Sequence, residues 1–171
     1  MSAARAIAAV VSVAALAGCA VPSGGTAFDV NGSTISTRDV DRAATDCAKL
    51  VGSTPDKIRV QVATMYLQGL IAEQVASNTN VTVSDSEKAS VAKSQNLAPL
   101  MDGGACQAAV ETWLNIAVVQ QKLGAQKLVA EAKKLDVKVN PIFGPFKASN
   151  LSLPGGSGSL STQGSSPVTL P

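Results

Sequence analysis

The chain has no histidine, and that single absence removes several kinds of chemistry at once. Ser-His-Asp and Cys-His catalysis, His-ligated zinc and copper sites, and imidazole acid–base work all need the missing residue. Aromatic residues are scarce too, at 3%, and charged residues make up only 15%. The hydrophobic fraction of 46% owes much to Ala, so the core is expected to be helical, thin and closely spaced. Net charge is +2 and the basic residues are scattered, which gives no electrostatic reason to expect nucleic acid or an acidic surface as partner. No metal-ligand cluster stands out, and no cofactor is expected.

Long apolar runs are also missing. The run from Ala6 to Leu16 falls short of the roughly 20 residues of a spanning helix, but suits the roughly 7–15 of a signal-peptide core. It ends in Leu16-Ala17-Gly18-Cys19, which looks like a bacterial lipobox. Residues 1–18 are therefore read as a signal peptide and Cys19 as a lipidated N-terminus, anchoring the protein to the cell membrane on its extracytoplasmic side. The alternatives are an ordinary signal peptide with an incidental Cys, or a buried core helix. A core helix has no need of small residues before its Cys.

Of the three cysteines, Cys47 and Cys106 then remain as an even pair in an oxidising compartment, and a disulfide is the natural reading. Two buried free thiols in an Ala-rich core are the alternative.

Residues 19–26 carry breakers and no apolar period, as a tether would. Phe28 and Val30 alternate with Ala27 and Asp29, and Asn31-Gly32 predicts a tight turn before Ile35. Ser36 suits a helix N-cap. Val40, Ala44, Cys47 and Val51 share one face of a first helix over Thr37 to Val51. After Gly52 and Pro55, a second helix runs from Asp56 to about Ser77 and is apolar on two sides, which makes it central. Met65 and Tyr66 lie on it at core spacing.

Ser84 followed by Glu87 has capping-box spacing and opens a third helix that ends before Pro99. A long fourth helix follows Gly103-Gly104, with Cys106, Ala109, Val110, Trp113 and Ala117 on one face. It is expected to reach about Lys134, bent at Gly124. Val137-Lys138-Val139 alternates and is expected to pair with the strand near Phe28 to Val30, so that the two ends of the domain meet. The tail from residue 148 to 171, with Gly155-Gly156-Ser157-Gly158 inside it, reads as disordered.

Asp39 and Asp41 point to different sides of a helix, which suits a cap and a solvated charge better than an acid–base pair. Asn31, Asn80 and Asn150 match glycosylation sequons, read as chance in a bacterial chain.

The order of these pieces resembles the N-terminal domain of the SurA, PrsA and PpiD group of extracytoplasmic folding factors. Four local matches carry it. Val30-Asn31-Gly32 with Ile35-Ser36-Thr37 and Asp39-Val40-Asp41 looks like the opening strand, turn and first helix. Leu70-Ile71 with Glu73 resembles the second-helix signature, and Val83-Ser84-Asp85 with Glu87 the turn into the third. Val139-Asn140-Pro141 and Phe143-Gly144 are similar to the closing strand of small actinobacterial lipoproteins. The resemblance spans about Ala27 to Phe146 and implies a mainly α domain, residues 27–147, built as a four-to-five-helix orthogonal bundle. A short two-stranded β element formed by the two ends of the domain would close it.

Many relatives carry a parvulin prolyl isomerase domain before the closing strand. Here only Asp136 separates Leu135 from Val137, which leaves no room for it, and the family's isomerase sites use histidines. The resemblance thus implies the chaperone-like part without the enzyme. Two functions compete: a lipid-anchored module that binds unfolded or exported polypeptides, and an accessory envelope lipoprotein with one fixed partner. The first is favoured, with apolar surface near Leu67, Leu70 and Ile71, or beside Trp113, expected to remain open to an extended client; the alternative is that the third helix and the Pro141 to Phe146 segment cover this surface completely.

Overall fold

The computed structural model describes residues 24–101 and 103–154. The lipobox-like stretch with Cys19, most of the tether, and the tail beyond Pro154 lie outside these residues.

Strand β1 (Thr26–Val30) turns through Asn31 and Gly32 into β2 (Ser33–Ser36). Both turn residues have positive φ, 50° and 89°, as a type I′ hairpin demands. The simple in-and-out alternation expected of β1 does not hold, because Ala27 is as fully buried as Phe28 and Val30. A register slip between Thr26 and Phe28 is the cause: an irregularity of this kind lets two successive residues face the core.

Ser36 then caps α1 (Thr37–Leu50) by accepting from the Asp39 N–H at 3.1 Å, while its hydroxyl donates to the Asp39 carboxylate at 2.6 Å. Val40, Ala43, Ala44, Cys47 and Ala48 form the buried face of this helix. Asp41 is an exposed charge, as expected, and is also held at 2.6 Å by Arg59.

Helix α2 (Pro55–Thr79) has Pro at its first turn and ends on Asn80 in the left-handed conformation, φ 55°. It packs against α1, against both β1 and β2, and against the two helices that follow Gly103, Gly104–Leu123 and Ala125–Ala132, and its buried residues occupy two sides. The central position expected from its pattern is what the fold shows.

Helix α3 (Asp85–Ser94) opens on a complete capping box between Ser84 and Glu87 and ends before Pro99, as expected, followed by a 3-10 turn at Ala98–Leu100. Helix α4 (Gly104–Leu123) is followed by α5 (Ala125–Ala132). The single bent helix expected here is in fact two. Gly124 sits at φ 78° and ψ 152°, far from helical values, and stops the ladder instead of bending it.

Strand β3 (Val137–Val139) pairs antiparallel with β1, as its pattern suggested. The sheet, however, has three strands in the order β2-β1-β3, not two. The strand after the Asn31-Gly32 turn was missed because Ser33-Thr34-Ile35-Ser36 is short and carries one large apolar side chain.

The chain does not leave the domain at residue 147. Asn140, 6% exposed, donates through Nδ2 to the Thr26 carbonyl and accepts at Oδ1 from the Ile142 N–H, shaping a second 3-10 turn at Pro141–Phe143. Phe143 is fully buried, with its ring centroid 5.2 Å from that of Phe28. Beyond it Lys147 bridges Ser152, and Leu151 and Leu153 are buried at 4% and 6% exposure. The tail expected to be disordered from residue 148 is therefore packed as far as Leu153, because two buried Leu side chains hold it down.

Candidate functional site

Two helices meet at the residues singled out for client binding. Gly69, on the buried side of α2, faces Thr112 of α4 so closely that a Cβ built there would stand 2.5 Å from the Thr112 carbonyl oxygen and nearer still to its methyl. The missing side chain lets the helix backbones close on each other. Around this point Leu67 and Ile71 are completely buried and Leu70 is 5% exposed. Trp113, next to Thr112, is half-buried and packs against the core.

The expected apolar surface at Leu67, Leu70 and Ile71 is thus not open. The reason lies on two sides. Helix α4 closes on α2 at Gly69, and the segment after Phe143 is laid along α2. Gln68 fixes that segment by donating from Nε2 to the Leu151 carbonyl at 3.0 Å, and Arg59, nine residues earlier in the sequence numbering, stands 4.8 Å over the Phe143 ring. Of the four residues, Trp113 alone keeps an appreciable exposed part. Large apolar side chains exposed among the described residues are Leu50 and Val51 at the end of α1, and Ile142 beside β3, which is 47% exposed.

The seam also holds a polar pair. Asn115 of α4, 8% exposed, donates from Nδ2 to Glu73 Oε1 at 3.1 Å. Desolvation pushes the Glu73 carboxyl up, opposed by Lys88 and by the bond from Asn115. With no nucleophile or second acid in contact, the pair does the work of satisfying a buried amide. Burial likewise raises the Tyr66 hydroxyl, with a smaller contribution from the Asp39 charge.

The two cysteines read as a pair are joined: Cys47 and Cys106 form a disulfide between α1 and α4, with Cα atoms 4.9 Å apart. Close by, the Ala105 N–H donates to Asp46 at 3.2 Å, and this bond, with the hydrogen bond from Lys49, keeps the Asp46 carboxyl below its usual range. An open depression of about 430 Å³ lies along this face of α1, bordered by Thr37, Arg38, Asp41, Arg42 and Asp46. Arg38 and Arg42 are exposed and have no ionic partner among the described residues. The chain enters the domain at the same place, where the Gly25 carbonyl accepts from the Thr37 N–H at 2.9 Å and from its hydroxyl at 3.3 Å.

Among the described residues no cluster of three or more His, Cys, Asp or Glu is placed to hold a metal ion, and no helix is long and apolar enough to cross a membrane. The three sequon asparagines have local structural roles: Asn31 in the hairpin turn, Asn80 as a helix cap, and Asn150 accepting at its side chain from the Ser152 hydroxyl at 2.8 Å. Sequence reasoning missed Arg59, Asn140, Leu151 and Leu153. Only the Asn140-Pro141 turn pattern hinted at any of them.

No family model matches the chain, and no curated protein or solved structure shows significant similarity to it.

Proposed function

We propose that this protein is a lipid-anchored, non-catalytic, extracytoplasmic binding protein for unfolded or exported polypeptides, with a domain of the SurA N-terminal kind arranged as an orthogonal bundle. The observation that carries the location is the pairing of Cys47 with Cys106, which leaves Cys19 as the odd cysteine, at the end of a signal-like run. Disulfides persist in oxidising compartments, and the leftover thiol sits where a lipobox puts it. The order of strand, turn, capped helix and closing strand supports the resemblance.

Chain geometry adds an orientation. At roughly 3.3–3.6 Å per residue, the segment from Cys19 to Gly25 reaches no more than about 22 Å. The entry point beside Thr37, with Arg38 and Arg42, therefore stays near the headgroups of an anchoring membrane. Stable attachment takes more than one acyl chain, at about 0.8 kcal/mol per buried CH₂. Cys19→Ala is expected to release the protein from the membrane fraction; its retention after a high-salt wash would refute the anchor.

For client binding, the purified protein is expected to slow the aggregation of an unfolded reference protein at modest stoichiometric excess. The burial of Leu67, Leu70 and Ile71 favours a second reading, an accessory lipoprotein with one fixed partner, since it removes the largest apolar surface assigned to clients. A single stoichiometric partner recovered from envelope extract, with no suppression of aggregation, decides for that reading.

A further inference from the structure

The outer edge of β3 is open, and its direction follows from two bonds. The Asn140 N–H donates to the Ala27 carbonyl at 2.8 Å, and the Asn31 N–H to the Asp136 carbonyl at 3.0 Å. In an antiparallel ladder, bonded and non-bonded pairs alternate. With Asp29 opposite Lys138, the bonded pairs are those of Ala27, Asp29 and Asn31, whereas Val139 opposite Phe28 and Val137 opposite Val30 are non-bonded. The N–H and C=O groups of Val137 and Val139 therefore point away from β1. None of these four groups has a partner among the described residues.

Two further features mark this edge. The side chains of Val137 and Val139 pack against the core yet stay half-buried, and Ile142, just past the strand, is among the few large apolar side chains left exposed. On the opposite face Lys138 is held by Asp136 at 3.0 Å and lies 3.9 Å from Asp29. A partner thus meets unpaired backbone donors and acceptors, an apolar face and a charged face.

We propose that the protein binds an extended segment of a non-native polypeptide by adding it as an antiparallel fourth strand beside β3. This deepens the client-binding reading and rests on it. Only extended backbone offers donors and acceptors at the spacing of two alternate strand residues. Residues directly opposite share a face, so client residues paired with Val137 and Val139 continue the apolar face toward Ile142, and those beside Lys138 are polar. A second copy of β3 is the poorer occupant in the symmetric register centred on Lys138, which sets two Lys side chains against each other at the close, non-bonded spacing. An edge this short, without a deep pocket, binds weakly and accepts many sequences of the right alternation.

The test uses the full chain and a short capped peptide of alternating Val and Thr, together with two derivatives, one N-methylated at each Val and the other at each Thr. Methylation at Val removes the donors that face the edge when Val lies on the apolar face; methylation at Thr does not. The unmodified and Thr-methylated peptides are expected to slow hydrogen exchange at the Val137 and Val139 amides by about tenfold or more, and the Val-methylated peptide to leave it unchanged. Equal effects of the two methylated peptides, or none from any peptide, overturn the proposal. So does slow exchange in the protein alone that deepens with protein concentration, since it makes a second copy the occupant. Aggregation suppression measured on the same sample separates the two levels. Suppression without protection of these amides rejects the strand edge and leaves client binding in place; loss of both rejects client binding as well.

Discussion

Gly69 of α2 and Thr112 of α4 approach so closely that the space for one methyl group does not exist between them. The contact lies in the middle of the longest helix of the described residues, beside the buried Leu67, Leu70 and Ile71. Glycine within a helix costs about 1 kcal/mol relative to alanine, so its presence here is explained by packing and not by helix formation.

Gly69→Ala is therefore expected to destabilise the protein despite its better helix propensity, by roughly 1–3 kcal/mol, as overpacking does. Urea denaturation followed by circular dichroism measures it. Adding Thr112→Ala should recover only part of the loss, because the backbone carbonyl of residue 112 also stands in the way. A Gly69→Ala protein more stable than the parent would remove the close approach.

The Cys47–Cys106 bond closes a loop with a sequence separation of 59. In the chain-entropy model a loop of that length contributes about 4 kcal/mol. Both residues are buried, at 5% and 0% exposure, so native protein should resist alkylation unless it is first unfolded and reduced. Labelling of both thiols in unreduced, denatured protein, read by mass spectrometry, would show that the bond does not form.

Glu87 accepts from Lys122 at 2.6 Å and from the Ser84 N–H at 2.9 Å. The bond from Lys122, then those from Ser84, hold its carboxyl down to about 2 against an ordinary 4.5. Because the folded value lies below the unfolded one, the stabilisation is fully present above 4.5 and disappears as pH falls toward 2. Glu87→Gln should flatten the loss of stability between those values, seen in melting temperatures across an acid series. Glu73 has the opposite sign: its raised carboxyl favours the folded state at low pH, and that contribution fades as pH rises through its folded pKa.

A chain ending at Lys147 loses Leu151 and Leu153, whose burial is worth roughly 1.5–3 kcal/mol each. It should unfold at markedly lower urea than a chain ending at Pro154, with the latter matching the full-length protein. Leu151 also stands at φ 52°, a conformation that bulky side chains rarely adopt. Leu151→Gly should relieve that strain while losing the burial, and a loss smaller than for Leu151→Ala measures it.

What was legible in the sequence was whatever local chemistry decides. Ser36 and Ser84 announce helix starts through hydroxyls acting within three residues, Asn31-Gly32 announces a hairpin through its φ angles, and the two-sided pattern of α2 announces its place in the middle. Tertiary partners were harder. The covering of Leu67, Leu70 and Ile71 depends on Gln68 meeting a carbonyl 83 positions away, and nothing in a Ser- and Gly-rich tail distinguishes Leu151 as an anchor. At Gly124 the sequence marks a weak point, but whether a glycine bends a helix or ends it is set by how the next helix packs.

The sheet has a temporal consequence. Its middle strand is made first and one of its neighbours nearly last: the bonds from Asp136 to Asn31 and from Asn140 to Thr26 span 105 and 114 positions. A polypeptide emerging N-terminus first can form the β1–β2 hairpin early, but cannot complete the ring pair of Phe28 and Phe143 until almost the whole domain has been delivered. Pairings this far apart in sequence carry a large loop-closure cost and form late. Under the proposed extracytoplasmic location the chain is threaded across a bilayer, and a sheet that closes only once Asp136 to Phe143 have arrived leaves the domain open while it passes.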